Sequence, residues 1–411
     1  MTNDVATVVV IGAGYVGLPL AVEIANAGHT TLVLDTDRDK VDEINYGRSY
    51  IPGVDLSAGS GMVQASTDPA ILADADAIII CVPTPLSKTR DPDNSYIIAA
   101  LDTVVAHMRA PCLVVLESTT FPGFTREVLV PKLEAAGFVL DRDVFVAFSP
   151  ERTDPGNKTY GVRNTPKVLG GASPASMTMA IKLYATFVDY VVPMSSTDAA
   201  EMVKLLENTF RAVNIGLVNE TALMCHRLGL NVWEVIRAAA TKPYGFMPFY
   251  PGPGLGGHCI PVDPLYLAWK LKTLHYTSRF IALADEVNRE MPAFVVSRVA
   301  EVLNARRKPL NGSKVLLMGV AYKPDVDDVR ESPALTILEL LRKQHAHVRY
   351  YDHRVFQFAG MTSVEFDAVA EYDCVVIVTA HTDVDYAYLA EHAQAIVDCQ
   401  DVARGPRTVT L

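Results

Sequence analysis

Apolar positions along the chain follow two regimes, short unbroken runs and long three-or-four-residue repeats. The stretch ATVVVIGAGYVGLPLAVEIANAGHTTLVLDTD, residues 6–37, opens on a continuous β-branched run, the pattern of a parallel strand covered on both faces. A helix-length segment leads from it to a second strand ending at Asp35. Further apolar strands follow in ADAIIICVPTP (75–85), CLVVLESTT (112–120) and DVFVAFSPER (143–152). The regime then changes. In STDAAEMVKLLENTFRAVNIGLVNETALMCHRLGL (196–230) apolar residues recur at three and four positions, from a cap at Ser196 or Thr197 to Gly229, which predicts one long helix. A second helical stretch, TSRFIALADEVNREMPAFVVSRVAEVLN (277–304), precedes Pro309. The strand regime returns in KVLLMGVAYKPDVDDVRESPALTILELLRKQHAHVRYYD (314–352), DCVVIVTA and AIVDCQ. This order predicts an α/β chain: two doubly wound Rossmann-like domains, 1–195 and 306–411, joined by a central helical domain, 196–305, with one long spine helix.

Composition narrows the function classes. The chain has 411 residues, half of them apolar, enough for several buried cores. Its 36 Lys and Arg stand against 47 Asp and Glu, a formal charge of -11, with no sustained basic run. Nucleic acid is therefore not an expected partner, although a local basic pocket for a small anion is compatible with this balance. The six cysteines are far apart, with no CxxC, so neither a disulfide scaffold nor a metal site is expected. No secretory signal is evident, and no apolar stretch approaches the roughly 20 residues that span a bilayer. The expectation is a cytoplasmic protein without a membrane partner.

Candidate chemistry begins at the first turn. Gly12, Gly14 and Gly17 stand at GxGxxG spacing directly after a strand and at the start of a helix, with Asp35 at the end of the next strand. Glycines there allow a tight turn around Tyr15 and Val16, the helix N-terminus receives a pyrophosphate, and the acid accepts from ribose hydroxyls. That is a dinucleotide site, and the carboxylate favours NAD over NADP. Pro83, Thr84, Pro85, Thr119 and Thr120 follow strands at the edge where such sheets bind ligands, and Glu151 and Arg152 end a further strand there. In the last section Lys323 and Arg330 occupy an enlarged first loop, placed for phosphate contact or simply solvated. Lys204, Asn208 and Arg211, spaced four and then three apart, share one face of the long helix, as a ligand-facing row or a surface stripe.

GPGLGGHCIPVDPLY, residues 252–266, surrounds Cys259 with glycine and proline. A metal set is incomplete there, since only His258 and Asp263 are near in sequence. Gly252, Gly254, Gly256 and Gly257 let a ligand approach the backbone, which suits a nucleophile better than a packed cysteine, and the residues alone leave both readings standing.

Seven motifs in order, VIGAGYVGLPLA, CVPTP, ESTTFPG, FSPER, KLLENTFRAVNI, GPGLGGHCIPVDP and GVAYKPDVDDVRESP, resemble the UDP-glucose/GDP-mannose dehydrogenase family over essentially the whole chain. The resemblance implies an N-terminal NAD-binding domain, a helical linker that builds a homodimer or a higher homo-oligomer, and a C-terminal domain for the nucleotide of a UDP-sugar. It implies oxidation of the sugar C6 alcohol to the carboxylate with two NAD molecules. By motif, Cys259 is the nucleophile and Lys204 and Asn208 surround the oxyanion. Asp263 and Thr120 assist proton transfer, Glu151 is linked to hydrolysis, and Lys323 and Arg330 reach into the ligands. Arg152 joins the substrate set from the strand edge, Arg211 from the helix row, Gly256 from the open backbone of the cysteine loop, Tyr250 as a wall of the acetamido or uracil pocket, and His258 as a group that orients the cysteine or a sugar hydroxyl. The form GHCIPVDP, TKPYGFMPFYPGPG and SPERTDPGN resemble the acetamido-sugar branch rather than glucose-specific members. UDP-N-acetylglucosamine is placed first as substrate, UDP-N-acetylmannosamine second and UDP-glucose third. Rival readings are a non-catalytic NAD-binding protein and a single-step alcohol dehydrogenase.

Overall fold

The computed structural model describes residues 6–411 except 52, 57–62, 154–156, 158 and 258. Its contacts divide the chain into two compact units, Met1–Glu207 with Leu265–His275, and Asn208–Pro264 with Tyr276–Leu411.

The first unit is built on eight strands: β1 (Thr7–Ile11), β2 (Thr30–Leu34), β3 (Gln64–Ser66), β4 (Ala77–Ile80), β5 (Cys112–Leu116), β6 (Val144–Phe148), β7 (Lys167–Gly171) and β8 (Val191–Met194). They lie in the order β3-β2-β1-β4-β5-β6-β7-β8. Pairing is parallel from β3 to β6; β7 runs antiparallel to β6, and β8 is parallel to β7. The central strands are apolar throughout because both faces are covered. Val9, Ile78, Ile80 and Val114 enter one core, and Val8, Val10, Ile79 and Val115 enter the other. Order reverses between β1 and β4, which is where a ligand crevice forms in such sheets.

The second unit carries β9 (Lys314–Met318), β10 (His347–Tyr351), β13 (Cys374–Ile377), β14 (Ile396–Asp398) and β15 (Thr408–Thr410), a parallel sheet in the order β10-β9-β13-β14-β15; β11 (Gln357–Phe358) and β12 (Met361–Thr362) form a separate hairpin. The doubly wound α/β class expected from the strand runs is the observed one. The strands that the pattern did not announce are short or mixed: β3, β7, β8, β11, β12 and β15.

The spine helix runs Thr197–Leu228 and belongs by contact partly to each unit. Ser196 Oγ accepts from Ala199 N at 3.1 Å, and Gly229 takes φ +68° just past its end, so both boundaries have a local chemical cause. The second long helix, Arg279–Ala305, contains Pro292. At Gly216 a Cβ would stand 3.2 Å from Ala284 Cα, so the missing side chain lets the two helices approach closely. Nearby, buried Asn219 donates to Asn288 Oδ1 at 2.8 Å, Asn288 donates to Ala212 O at 3.2 Å, and Asn219 Oδ1 accepts from Gly252 N at 2.9 Å. This amide pair satisfies its own buried polar groups while tying the start of the cysteine loop to both helices.

Candidate active site

In the first unit, the turn after β1 is shaped by contacts that exclude side chains. A Cβ on Gly12, at φ +103°, would meet Cys81 O at 2.6 Å, and one on Gly17 would meet Gly12 O at 1.9 Å, whereas Gly14 faces open space. The first two glycines pack turn, helix and β4 together, and the third leaves backbone open to an incoming group. Half-exposed Asp35 accepts from Ala13 N at 2.6 Å and from Asp37 N at 2.9 Å, which positions it beside the turn. Tyr15 and Val16 are half-buried in the turn; Pro83 is exposed and Thr84 half-buried beyond β4, and Thr119 is half-buried beyond β5. A dinucleotide fits this cradle. Tyr50, which the sequence reading did not single out, donates to Ala13 O at 2.5 Å.

Beyond β5 and β6 lies a buried ionic cluster. Lys167 Nζ donates to Glu117 Oε2 at 2.7 Å and to Glu151 Oε2 at 2.9 Å, and Tyr184 donates to Glu117 Oε1 at 2.5 Å. Burial alone raises the Glu151 carboxyl, but the Lys167 charge and the Thr153 hydroxyl and amide outweigh it and hold it at about 2. Glu117 has fewer donors, and burial pushes its carboxyl up. The main-chain oxygen of Glu151 accepts from Lys204 Nζ at 2.6 Å. Glu151 thus reaches Lys204 through its backbone while its carboxylate is taken by Lys167, Thr153 and the Arg152 amide. The Arg152 guanidinium pairs with Glu207 at 2.7 Å and donates to Pro166 O at 2.6 Å, so a substrate contact would require it to leave those partners. The buried hydroxyls of Thr120 and Ser149 have no hydrogen-bond partner among the described residues, the condition expected of groups awaiting a ligand or water.

In the second unit, Asn208 Nδ2 donates to Asp263 Oδ2 at 2.5 Å, and Asp263 N donates to Cys259 O at 2.8 Å. Asp263 is buried and opens the helix Asp263–Thr273, while Cys259 is half-buried. Only the NH2 side of the Asn208 amide can face a carboxylate, so Asp263 fixes which way that amide points. A Cβ on Gly256 would come within 2.9 Å of Tyr322 Cβ, and one on Gly257, at φ +84°, within 2.8 Å of the Tyr322 ring; Gly257 N donates to Arg330 O at 3.1 Å. The loop after β9 therefore lies against the cysteine loop, bringing Lys323 and Arg330 to the same region. Lys323 Nζ stands 5.8 Å from the Tyr322 ring centroid, and the Arg330 guanidinium pairs with Asp328 at 2.6 Å. Tyr250 stacks on Trp233 at 5.9 Å, and Arg211 is exposed. His258 lies outside the described residues. Arg163 pairs with Asp189 at 3.3 Å on the surface.

Sequence reasoning missed Lys167, Glu117 and Tyr184. The one available signal was a lysine heading the otherwise apolar KVLGG run, and its partners come from strands far away in the chain. Among the described residues no cluster of His, Cys, Asp or Glu is arranged to hold a metal ion, and no helix is long and apolar enough to cross a membrane.

Three family models match in succession: the UDP-glucose/GDP-mannose dehydrogenase family NAD binding domain over residues 6–188, its central domain over 198–290 and its UDP binding domain over 316–405. A UDP-N-acetyl-D-mannosamine dehydrogenase of Methanococcus maripaludis is 33% identical over 92% of this chain and 87% of its own length. A UDP-N-acetyl-D-glucosamine 6-dehydrogenase of Pseudomonas aeruginosa is 33% identical over 92% of this chain and 90% of its own. The solved UDP-D-ManNAc dehydrogenase of Pyrococcus horikoshii superposes with a TM-score of 0.89 at 33% identity, covering 98% of each chain. The chain belongs to the UDP-glucose/GDP-mannose dehydrogenase family and is an NAD-dependent nucleotide-sugar dehydrogenase.

Proposed function

We propose that the protein oxidises the C6 alcohol of a UDP-N-acetylhexosamine to the carboxylate through a covalent thioester on Cys259. The observation that carries this reading is the Asn208–Asp263–Cys259 arrangement, in which the spine-helix amide is oriented by a buried carboxylate that stands on the segment bearing the thiol. The Gly12–Gly17 turn and Asp35 would hold NAD, which when bound would supply the hydride acceptor for both oxidations.

Loss of hydride and proton from the alcohol leaves an aldehyde. The Cys259 thiol adds across its C=O, forming a C–S bond while oxygen gains a proton, to give a thiohemiacetal. The second oxidation leaves a thioester. Water then breaks the C–S bond, releasing the carboxylate and restoring the thiol. Negative charge gathers on one oxygen at each tetrahedral stage, and Lys204 Nζ and the second Asn208 N–H are the donors assigned to it. One such donor is worth on the order of a hundredfold in rate. Asp263 and Thr120 manage protons through water, the Thr120 hydroxyl being a buried group with no protein partner among the described residues. Lys323 and Arg330 take the nucleotide phosphates.

The gluco epimer stands first on the motif form, and the manno epimer is favoured by the names of several relatives, including those from Methanococcus maripaludis and Pyrococcus horikoshii. Leu206, Phe210, Leu217, Met224 and Leu228 are all exposed along one stripe of the spine helix, which supports a homodimer through the central helices. A cytoplasmic location suits an enzyme fed by soluble nucleotide sugars. The test is NADH formation with UDP-N-acetylglucosamine, UDP-N-acetylmannosamine and UDP-glucose at equal concentration. Either acetamido sugar should exceed UDP-glucose, and a preference for UDP-glucose overturns the branch assignment.

A further inference from the structure

The ionic cluster beyond β5 and β6 is costly to build and is not explained by stability. Lys167, Glu117 and Glu151 are 3%, 1% and 7% exposed, and together they place two carboxylates against one ammonium. Apolar side chains of similar volume usually fill such a space at equal or lower free energy. What apolar residues could not do is fix the direction of Glu151. Its Oε2 is held by Lys167, and its Oε1 accepts from Arg152 N at 2.9 Å, from Thr153 N at 2.5 Å and from the Thr153 hydroxyl. A side chain grasped on both oxygens holds its own backbone, and that backbone supplies the carbonyl bonded to Lys204 Nζ at 2.6 Å.

We infer that Lys167 is a positioning residue for the oxidation: acting through the Glu151 carboxylate, it sets the turn Ser149–Thr153 and so the place of the Lys204 amino group. The inference rests on the reading of Lys204 as an oxyanion partner. Lys167 touches no reacting atom. It is planted at the first residue of β7, beside the Glu117 that directly follows β5 and the turn that follows β6, so three strands fix its ammonium. A long flexible side chain such as Lys204 loses precision when its anchor moves, and a misplacement of about 1 Å can cost on the order of a hundredfold in rate.

Charge explains what would be seen. The groups facing the Glu151 carboxylate are Lys167, the Arg152 and Thr153 donors, and behind Lys167 the Glu117 carboxyl, Tyr184 and the buried Cys81 thiol; Lys204 meets only its main-chain oxygen. Lys167 is the positive side chain that pairs with that carboxylate. Without it, burial and Glu117 both favour the protonated acid, which is a poorer acceptor for the Thr153 and Arg152 amides. The turn then loosens as pH falls.

The experiment measures kcat and KM against pH for wild-type enzyme, Lys167→Met, Lys167→Arg and Thr153→Val, with UDP-N-acetylglucosamine or its manno epimer as substrate and each variant's fold checked by circular dichroism. Lys167→Met should lower kcat about tenfold to a hundredfold with KM for NAD within about threefold. Its kcat should acquire an acid limb absent from the wild type, and Lys167→Arg should remove that limb at least in part. Thr153→Val takes one donor from the same carboxylate at a half-exposed position, and its acid limb should move in the same direction by a smaller amount. If Lys167→Met is insoluble, Thr153→Val decides alone. Folded variants whose kcat profiles superimpose on the wild type overturn the inference, even if their melting temperatures fall. A wild-type protein that reduces no NAD with any UDP-sugar instead sinks the functional reading, and this inference with it.

Discussion

Asp35 and Asp352 occupy the same place in two sheets, and they do different things. Each follows the second strand of its sheet. Each accepts from the turn after the first strand, where a glycine of positive φ, Gly12 or Gly319, sits against a carbonyl beyond the strand that pairs with the other edge of the first, Cys81 O after β4 or Thr379 O after β13. Asp35 is half-exposed and accepts from two amides, which leaves lone pairs for a ribose. Asp352 is 1% exposed. It accepts from Val320 N, Ala321 N and His381 Nε2 on one oxygen and from Arg354 N and Val355 N on the other. His381 Nδ1 accepts from Asp325 N, so the ring proton lies on Nε2 and is donated to Asp352. The second acid is spent on the protein. A strand-end carboxylate in a doubly wound sheet is therefore a ligand group only when its other neighbours leave it unsatisfied.

The largest effect that would break this comparison comes from Asp352→Asn. The variant should lose about 3–5 kcal/mol of stability, measured by denaturant unfolding near pH 7, with a wild-type affinity for NAD. Burial raises the Asp352 carboxyl, but the His381 hydrogen bond and the Val320 amide outweigh it and hold it below the usual carboxylate range. Its contribution is therefore present above about pH 4 and is lost as pH falls through the lowered value, so the gap from the variant should close in acid. A variant as stable as wild type would make Asp352 a second ligand acid.

A buried acid of the first unit sharpens the point from the opposite side. Glu201, on the spine helix, accepts from Gly123 N at 2.5 Å and from Thr125 N at 2.9 Å, yet burial pushes its carboxyl up to about 7. A raised acid favours the folded state below its unfolded value, and that advantage is lost as pH rises through the folded one. The stability of wild type relative to Glu201→Gln should thus fall by about 2–3 kcal/mol between pH 5 and pH 8, in chemical melts at each pH. A gap that widens with pH would mean that the donors prevail over burial. The smallest effect belongs to Asp35→Asn, which should weaken NAD binding about tenfold by titration while leaving the unfolding midpoint nearly unchanged.

The contrast also explains what the sequence could and could not convey. The Gly12–Asp35 unit was readable because strand, turn, helix and acid are consecutive, and the spine helix because Ser196 and Gly229 bound it chemically. Asp352 follows a strand in the same local pattern, and nothing near it in the chain marks it as satisfied, since its partner His381 comes from beyond β13. The shorter strands escaped notice for physical reasons: β3 has three residues, QAS, and β8 carries Pro193. Gly256 and Gly257 read as clearance for a ligand, whereas Tyr322 packs on both and accounts for them from within the protein. Glu151 and Arg152 were visible as ends of a strand, but their engagement by Lys167 and Glu207 depends on contacts that no local pattern records.

The central claim is that a thiol on the cysteine loop captures the aldehyde and makes the second oxidation possible. Counting NADH against carboxylate in wild type and in Cys259→Ser, with a UDP-N-acetylhexosamine, tests it most directly. Wild type should give two NADH per carboxylate, and the serine variant, folded and still binding NAD, should form no carboxylate. Carboxylate accumulating from Cys259→Ser at the wild-type rate, with the same two NADH, would contradict the account.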